Sequence, residues 1–267
     1  MSTEVPKSSD LKYVSAPSRR QTLMSMIEDV GFCTITELAA ALKVSEMTVR
    51  RDVTKLAAGN SAIRVVHGGV SSVPVTLSNG TDYELRARAF PAAKAAVATA
   101  AARLVVPGST IALDSGTTAV KIAEALPTDC ELNVVTQSLA VANALIRKDN
   151  IDLTIIGGTL VRSLQACVGP SAINAIAGIR IDTFYLSATS IDRRGVLAGN
   201  DYDAATKREL IEASDSVVLV SDSSKFNISS RFRVCPLERI GTLVTDSNLA
   251  DEYRLMIESV GITVVIA

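Results

Sequence analysis

The chain has 267 residues, of which 48% are hydrophobic, so it can bury a substantial core and lacks the composition of a disordered protein. Its formal net charge is −1, which excludes a protein that is a polycation throughout. The four cysteines are far apart and form no Cys-x-x-Cys pair, which argues against a zinc site or a disulfide framework and is typical of a reducing cytosol.

The N-terminal region is polar, and we predict a flexible tail over residues 1–18. A first helix is predicted from Arg19 to Val30, with Leu23 and Ile27 at helical spacing and Gly31 as its stop. No apolar segment of a signal peptide follows the polar start, and no apolar run reaches the roughly 20 residues of a membrane span. We therefore expect a cytoplasmic protein that makes no contact with a membrane.

The next segment, from Thr34 to Val70, has the pattern of a helix-turn-helix. Thr34 with Glu37 three residues later predicts a capping box at the start of one helix. Lys43 and Val44 form the predicted turn, and Ser45 is a suitable N-cap for a second helix.

The second helix of this motif is predicted to present one face to the core and the other to solvent. Val49 and Val53 cluster on the core side, whereas Met47 and Arg51 point roughly the opposite way. Arginines on the outer face of such a helix suit the DNA major groove, where they bind guanine or phosphate. A generic three-helix scaffold with solvated arginines is the alternative interpretation.

A small hairpin, or wing, is predicted after this helix, with one strand near residues 63–66 and a return after His67. Residues 43–70 carry five basic and two acidic side chains, so DNA affinity is expected to reside here. The candidate DNA-contacting residues are Ser45, Met47, Thr48, Arg50, Arg51, Thr54 and Arg64.

Residues 71–82 are rich in Ser, Thr, Asn, Gly and Pro and are predicted to be a linker. Helices are expected from Tyr83 to Ala89 and from about Ala92 to Val105. Short apolar strands then alternate with helices as far as Ile266, which predicts an α/β domain around a largely parallel sheet. Ligands in such domains bind at the carboxyl ends of the strands.

The segment from Asp114 to Thr118 follows the first of these strands and opens a helix. Gly116 allows close backbone approach, the hydroxyls of Ser115, Thr117 and Thr118 are donors, and the helix N-terminus favours an anion. The segment is therefore a candidate phosphate cradle, although an ordinary capped strand-to-helix turn has the same pattern. Other polar or glycine residues at predicted strand ends or nearby helices are Gln137, Gly158, Asp192, Lys207 and Lys225.

The sequence VSEMTVRRDVTKL followed by RVVHGGV resembles the N-terminal signature of the DeoR family of bacterial transcription regulators. DSGTT, VVTQSL, IIGG, SIDRRG, ATKREL and SDSSKF, in this order, are similar to the sensor domain of that family. The first resemblance runs from about Arg19 to Val70 and implies a winged helix-turn-helix at residues 19–70. The second covers roughly Tyr83 to Asp246 and implies a Rossmann-like domain similar in fold to ribose-5-phosphate isomerase, which we place at residues 83–267. It also implies that a sugar phosphate lies with its phosphate on Ser115 to Thr118 and its hydroxyls near Gln137, Asp192, Lys207 and Lys225.

Departures from the family pattern occur at Gln137, where Asn is usual, and at Asp203, where Glu is usual; both change reach by one methylene. Thr206 stands where isomerase-like enzymes have a catalytic Glu, and a hydroxyl is a poor general base near neutral pH. The only histidine, His67, lies in the predicted wing. We therefore expect a regulator rather than an enzyme, with a sugar-phosphate isomerase as the alternative and an adaptor without a small ligand as a third reading.

The function predicted from the sequence is a DNA-binding repressor of sugar-catabolic genes that a phosphorylated sugar releases. We expect no metal and no cofactor. The expected partners are double-stranded operator DNA and further copies of the chain, in a homodimer or homotetramer, since a palindromic operator requires at least a dimer. The expected location is the bacterial cytoplasm, in association with the nucleoid.

Overall fold

The computed structural model describes residues 16–30, 32–59, 63–66, 69–71, 83–226 and 228–267. The chain divides into two compact units, Met1–Ser72 and Val73–Ala267. Nearly all of the predicted linker and most of the predicted tail lie outside the described residues, as does His67. No described helix is long and apolar enough to span a membrane.

The N-terminal unit consists of helices and a small antiparallel sheet in the order β1-β3-β2. Its helices are α1 (Ala16–Val30), α2 (Ile35–Leu42) and α3 (Glu46–Gly59), and its strands are β1 (Phe32–Thr34), β2 (Arg64–Val66) and β3 (Gly69–Ser71). The winged helix-turn-helix is therefore confirmed. The first helix begins three residues before the predicted Arg19, and β1, which the sequence did not predict, pairs with β3.

Local hydrogen bonds explain where these helices begin. At α2, Thr34 Oγ1 accepts from the Glu37 N–H at 3.0 Å, and Glu37 Oε2 accepts from the Thr34 N–H at 2.9 Å, which confirms the predicted capping box. Lys43 takes a left-handed conformation with φ of 52°, so the chain turns sharply after α2. Ser45 Oγ then accepts from the Thr48 N–H at 3.2 Å and caps α3, as predicted.

The C-terminal unit is built on a seven-stranded sheet, counted over the described residues, in the order β15-β14-β12-β9-β4-β5-β6. Every pairing within it is parallel, which confirms the predicted α/β architecture. Its strands are β4 (Thr110–Leu113), β5 (Leu132–Thr136), β6 (Ile151–Ile155), β9 (Ile181–Ser187), β12 (Ser214–Val220), β14 (Thr242–Thr245) and β15 (Thr263–Ile266).

Helices cover both faces of this sheet. Buried side chains of α5 (Pro91–Ala102), α6 (Thr117–Ala125) and α7 (Leu139–Leu145) pack on one face. Those of α8 (Pro170–Ile176), α9 (Asp201–Glu212) and α10 (Asp251–Glu258) pack on the other. The short helix α4 (Tyr83–Arg88) precedes them in the chain.

Short elements between β6 and β14 were not predicted from the sequence. They are a hairpin of β7 (Thr159–Val161) and β8 (Ala166–Val168), and an antiparallel sheet of β10 (Ser190–Asp192), β11 (Gly195–Ala198) and β13 (Phe232–Cys235). Helix α8 was also missed. Strands of three or four residues are too short to show an alternating pattern, and glycines at positive φ, such as Gly169, interrupt the sequence signal.

The chain order places a topological switch point between β4 and β9. From β4 the chain proceeds outward through β5 and β6, and then returns to β9 on the opposite side of β4. The connections therefore diverge at the carboxyl ends of β4 and β9 and leave a crevice there. This crevice is where parallel α/β sheets bind ligands.

Candidate functional sites: an exposed helix and a charged cavity

The outer face of α3 carries most of the predicted DNA-contacting side chains. Met47 is 69% exposed, Arg50, Arg51 and Thr54 are exposed, and the inner residue Val53 is fully buried. Ser45, before the helix, is exposed, and Thr48, in its first turn, is half-buried. Arg64 lies at the start of β2.

A buried ion pair fixes α3 against α1. The carboxylate of Asp52, which is 4% exposed, accepts from Arg19 Nε at 2.6 Å, and Arg20 lies 3.9 Å from its other oxygen. Breaking such a pair is costly because it leaves a charge buried without its partner. Asp52 therefore fixes the orientation of the helix whose opposite face presents Arg50 and Arg51. Asp52 directly follows the exposed Arg50 and Arg51, and this position in the sequence did not indicate that its side chain is buried.

The second candidate site is a cavity in the C-terminal unit at the switch point of the sheet. It has an empty volume of about 600 Å³ including its open mouth. Its lining residues are Arg86, Lys94, Ser115, Gly116, Thr117, Thr118, Leu164, Ser187, Ala188, Thr189, Asp203, Lys207, Val220, Ser221, Asp222 and Lys225.

Asp114 organises the floor of this cavity from behind. Its side chain is fully buried, and its Oδ2 accepts from the N–H and the hydroxyl of Ser187 at 2.9 and 2.6 Å. Its Oδ1 accepts from the Ser115 N–H at 2.7 Å and from Gln137 Nε2 at 3.1 Å. These bonds, together with Lys207 Nζ at 3.2 Å, tie the ends of β4, β5 and β9 to one carboxylate.

The N-terminus of α6 opens onto the same cavity. Gly116 is its N-cap and supplies no side-chain hydrogen bond, so the first N–H groups of the helix have no side-chain cap. A Cβ at Gly116 would lie 2.1 Å from Ser187 Oγ, so only glycine fits here without a shift of Ser187. Thr117 and Thr118 are buried and line the cavity beside it.

Lys207 and Lys94 are buried basic side chains of the lining. Lys207 Nζ lies 3.2 Å from both Asp114 and Asp203 and donates to the Ser187 carbonyl at 3.0 Å. Burial opposes its charge, but the two carboxylates outweigh burial and raise the pKa of Lys207. Lys94 Nζ donates to the carbonyls of Ala89, at 2.6 Å, and Arg86.

Burial lowers the pKa of Lys94 to about 7, and the positive charges of Lys225 and Arg86 act in the same direction while Asp222 opposes them. Lys94 therefore differs from Lys207 in charge near neutral pH, although both lysines are buried in one cavity. The difference arises because no carboxylate lies in hydrogen-bonded contact with Lys94 in the described part of the chain.

Some predicted binding residues lie away from the cavity lining. Gln137 is buried behind Asp114. Gly158 has φ of 153°, and a Cβ there would lie 2.8 Å from the Val168 carbonyl oxygen, which suggests a packing role. Asp192 lies in the β10–β11 hairpin, where its Oδ2 accepts from Arg194 Nη2 at 2.7 Å.

The cavity also includes side chains that were not among the predicted binding residues: Arg86, Lys94, Ser187, Thr189, Asp203, Ser221 and Asp222. A signal for Lys94 existed in the sequence, since it shares the helical stripe of the buried residues Val97, Ala98 and Ala101. A lysine on the core stripe of a helix is unusual enough to mark a site. Arg86 carried no comparable signal.

Family models match both parts of the chain. A DeoR-like helix-turn-helix domain matches residues 19–75, and a DeoR C-terminal sensor domain matches residues 90–247. The chain is 34% identical over 233 residues to an uncharacterised HTH-type transcriptional regulator, YgbI, of Escherichia coli strain K12, covering 87% of this chain and 91% of that protein.

Two relatives with more informative names come from Haemophilus influenzae. The glycerol-3-phosphate regulon repressor is 35% identical over 228 residues, covering 85% of this chain and 88% of its own length. The L-fucose operon activator is 30% identical over 237 residues, covering 88% and 94%. Among solved structures, ribose 5-phosphate isomerase A from Neisseria gonorrhoeae is 20% identical and covers 52% of this chain and 53% of its own, with a TM-score of 0.37.

Proposed function

The chain belongs to the DeoR family of transcriptional regulators, and we propose that it represses sugar-catabolic genes until a phosphorylated sugar releases it from its operator. The helix-turn-helix binds DNA, and the cavity of the C-terminal unit binds the effector. We place the DNA-binding domain at residues 19–70 and the effector domain at 83–267, with residues 71–82 between them. The division of the chain near Ser72 supports this placement.

The exposed face of α3 supports the DNA-binding role. Arg50 and Arg51 are exposed, whereas Val49 and Val53 of the same helix are buried. Arginine forms paired hydrogen bonds to guanine and charge-assisted bonds to phosphate, so both arginines suit the major groove. Ser45 and Thr48 lie at the N-terminus of α3, where the helix favours a DNA phosphate.

The cavity at the switch point is the observation that carries the effector assignment. The open N-terminus of α6 and the basic residues Arg86, Lys207 and Lys225 favour a dianion there. We propose that Ser115 to Thr118 hold the phosphate and that Lys225 supplies positive charge beside it, whereas Lys207 is already paired with Asp114 and Asp203. The names of the relatives support a sugar or polyol, since one refers to glycerol 3-phosphate and another to L-fucose.

For the effector to regulate transcription, its binding in the cavity must change the affinity for DNA. We propose that this happens in an assembly of at least two chains. A homodimer or homotetramer would place two recognition helices on a palindromic operator. We propose repression rather than activation because two of the relatives are named as repressors; one relative is named as an activator.

Operator binding tests the proposal directly. We expect the wild-type protein to shift its own upstream region in an electrophoretic assay and to be released by one member of a panel of phosphorylated sugars. The same panel should raise its melting temperature, because a ligand that binds the folded state stabilises it. Failure of every phosphorylated sugar to do either would overturn the effector assignment.

An enzyme is the competing function, because the carboxylates of Asp203 and Asp222 also line the cavity. Asp203 is ion-paired with Lys207 at 3.2 Å, however, and Thr206 replaces the glutamate of isomerase-like enzymes. Incubation with pentose and hexose phosphates separates the two functions. A sensor returns each compound unchanged, whereas an isomerase yields a ketose from an aldose phosphate.

A further inference from the structure

Asp222 lines the effector cavity and carries a carboxylate oxygen without a hydrogen-bond partner among the described residues. The residue follows β12, lines the cavity and is 1% exposed. Its Oδ1 accepts from the N–H of Ser224 at 3.1 Å and from the hydroxyl of the same residue. Its Oδ2 is buried and has no hydrogen-bond partner among the described residues.

Such an acceptor signals a missing donor. A buried polar atom without a partner destabilises the folded protein, because it has lost its hydrogen bonds to water and gained none in return. The other carboxylate of the lining differs in this respect, since Asp203 is paired with Lys207 at 3.2 Å. A ligand that brings a donor to Asp222 therefore satisfies an oxygen that the protein leaves unsatisfied.

We propose that Asp222 is the specificity-determining residue of the cavity and accepts a hydrogen bond from a hydroxyl group of a phosphorylated polyol. This inference rests on the proposed function, since it assumes that the phosphate of the ligand occupies the N-terminus of α6. It adds the requirement that the ligand carry a hydroxyl at a defined distance from its phosphate.

The order of strands gives that distance. Asp222 follows β12 and Ser115 to Thr118 follow β4, with β9 between them in the sheet. Since neighbouring strands are spaced by about 4.8 Å, the two ends of the cavity are separated by about 10 Å. The phosphate therefore lies at one end of the ligand, and the hydroxyl that donates a hydrogen bond to Asp222 lies at the other.

Charge excludes a phosphate from the Asp222 end of the cavity. A phosphate dianion has no hydrogen to donate and is repelled by the carboxylate. A hydroxyl donates a hydrogen bond to this carboxylate without such repulsion, so the Asp222 end of the cavity favours a hydroxyl group of the ligand over a second phosphate.

Ligand comparison on the wild-type full-length protein is the first arm of the test. Binding is measured by calorimetry for ribose 5-phosphate, glucose 6-phosphate, sorbitol 6-phosphate, glucosamine 6-phosphate and hexyl phosphate. The best hydroxylated compound should bind at least about tenfold more tightly than hexyl phosphate, which is ~1.4 kcal/mol. Tighter binding of glucosamine 6-phosphate than of glucose 6-phosphate would show that Asp222 pairs with an ammonium group rather than a hydroxyl, and would overturn the inference. Equal binding of hexyl phosphate would overturn the inference without any variant.

The second arm uses Asp222→Asn with inorganic phosphate as an additional probe. Removing the negative charge should tighten binding of inorganic phosphate, whereas replacing the acceptor should weaken the best polyol phosphate by about tenfold. Opposite changes in affinity for the two probes identify the role of Asp222, because a variant that folds poorly would bind both probes more weakly. Asp192→Asn is the matched control, since Asp192 lies outside the cavity lining and pairs with Arg194, and it should change neither affinity.

The outcomes separate this inference from the function on which it rests. If inorganic phosphate and the sugar phosphates all fail to bind the wild-type protein, the proposed effector cavity is wrong and the role of Asp222 falls with it. If they bind but Asp222→Asn leaves the polyol phosphate unchanged, or weakens both probes alike, only the role of Asp222 is overturned.

Discussion

The hydrogen bonds of Asp114 define which residues of the cavity are free to bind a ligand. Protein donors from Ser187, Ser115 and Gln137 occupy both of its oxygens. The carboxylate therefore acts as a positioning group, and it places Ser187 against Gly116 at the entrance to α6. The proposed effector would contact the groups that Asp114 orients.

Gly116→Ala tests this positioning. The new Cβ would lie 2.1 Å from Ser187 Oγ, and Ser187 cannot move without losing its bonds to Asp114. We expect the free energy of unfolding to fall by about 1–3 kcal/mol, as for overpacked cores. Thermal stabilisation by the sugar phosphate should be lost. Gly157→Ala is the control, since a Cβ there has no atom within 4 Å, and it should leave both measurements unchanged.

Lys94 leads to a prediction about proton uptake. Its pKa of about 7 leaves the amine mostly neutral at pH 8, with two N–H donors that match the carbonyls of Arg86 and Ala89. A phosphate dianion in the cavity would raise this pKa, because negative charge stabilises the ammonium form of Lys94. Binding at pH 8 should therefore take up nearly one proton, and affinity should fall up to about tenfold per pH unit above 7.

Calorimetry in buffers of different ionisation enthalpy measures this uptake. Lys94→Met should abolish the uptake and flatten the pH dependence between pH 7 and 9. Lys121→Met, which removes an exposed lysine paired with Glu124, should retain both. Arg86, Lys225 and Asp222 are the charged groups that influence the pKa of Lys94. A substitution at any of the three should therefore shift the pH at which proton uptake is half-maximal. Unchanged proton uptake in Lys94→Met would contradict the prediction.

At the scale of elements, α3 has a buried face and an exposed face, and separate substitutions should distinguish their roles. Asp52→Ala breaks the buried pair with Arg19 and should destabilise the N-terminal unit by about 3 kcal/mol. Arg50→Ala/Arg51→Ala removes exposed charges and should leave that unit folded. Both variants should lose operator affinity, but hydrogen exchange of the amides in α1 to α3 should accelerate only in Asp52→Ala. Normal operator binding by the double arginine variant would show that α3 does not read the DNA.

The elements differ in how well the sequence predicted them, and the difference has physical reasons. The start of α2 was predictable because the Thr34–Glu37 capping box depends on residues three apart. The parallel strands were predictable because apolar runs alternate with helical segments. The β10-β11-β13 sheet was not, since β13 pairs with a strand more than thirty residues earlier and each strand is three or four residues long.

The candidate site divides in the same way. Ser115 to Thr118 could be placed from sequence because a strand end and a helix start define their position. Arg86 could not, because its contribution depends on α4 meeting β4 and β12 at one cavity. Long-range convergence of this kind leaves no local pattern.

At the scale of the whole molecule, the proposed function requires energetic coupling between two units with separate cores. Leu23, Leu38 and Val53 belong to one buried cluster, whereas Phe184 and Tyr185 belong to those of the C-terminal unit. A ligand changes DNA affinity only to the extent that it binds the two states of the protein differently. The coupling is reciprocal, so operator DNA must weaken effector binding by the factor by which the effector weakens DNA binding.

Thr117→Asp should separate DNA binding from its release. Thr117 is buried at the first turn of α6 and lines the cavity, so an aspartate there places a negative charge against the phosphate of the effector. The fold should survive, because an acidic side chain in the first turn of a helix interacts favourably with the helix dipole. We therefore expect a protein that binds its operator normally and remains bound when the sugar phosphate is added.

The matched control is Thr117→Asn, which has the size of the aspartate without its charge and should remain responsive at a higher effector concentration. The measurement is operator binding of each variant across an effector titration, together with the melting temperature of the free protein. Release of Thr117→Asp at the wild-type effector concentration would mean that the phosphate binds elsewhere. Loss of operator binding without effector would instead mean that the loop before α6 supports the fold or the assembly. Equal resistance in both variants would assign the effect to side-chain shape rather than charge, and the anion cradle at α6 would need another explanation.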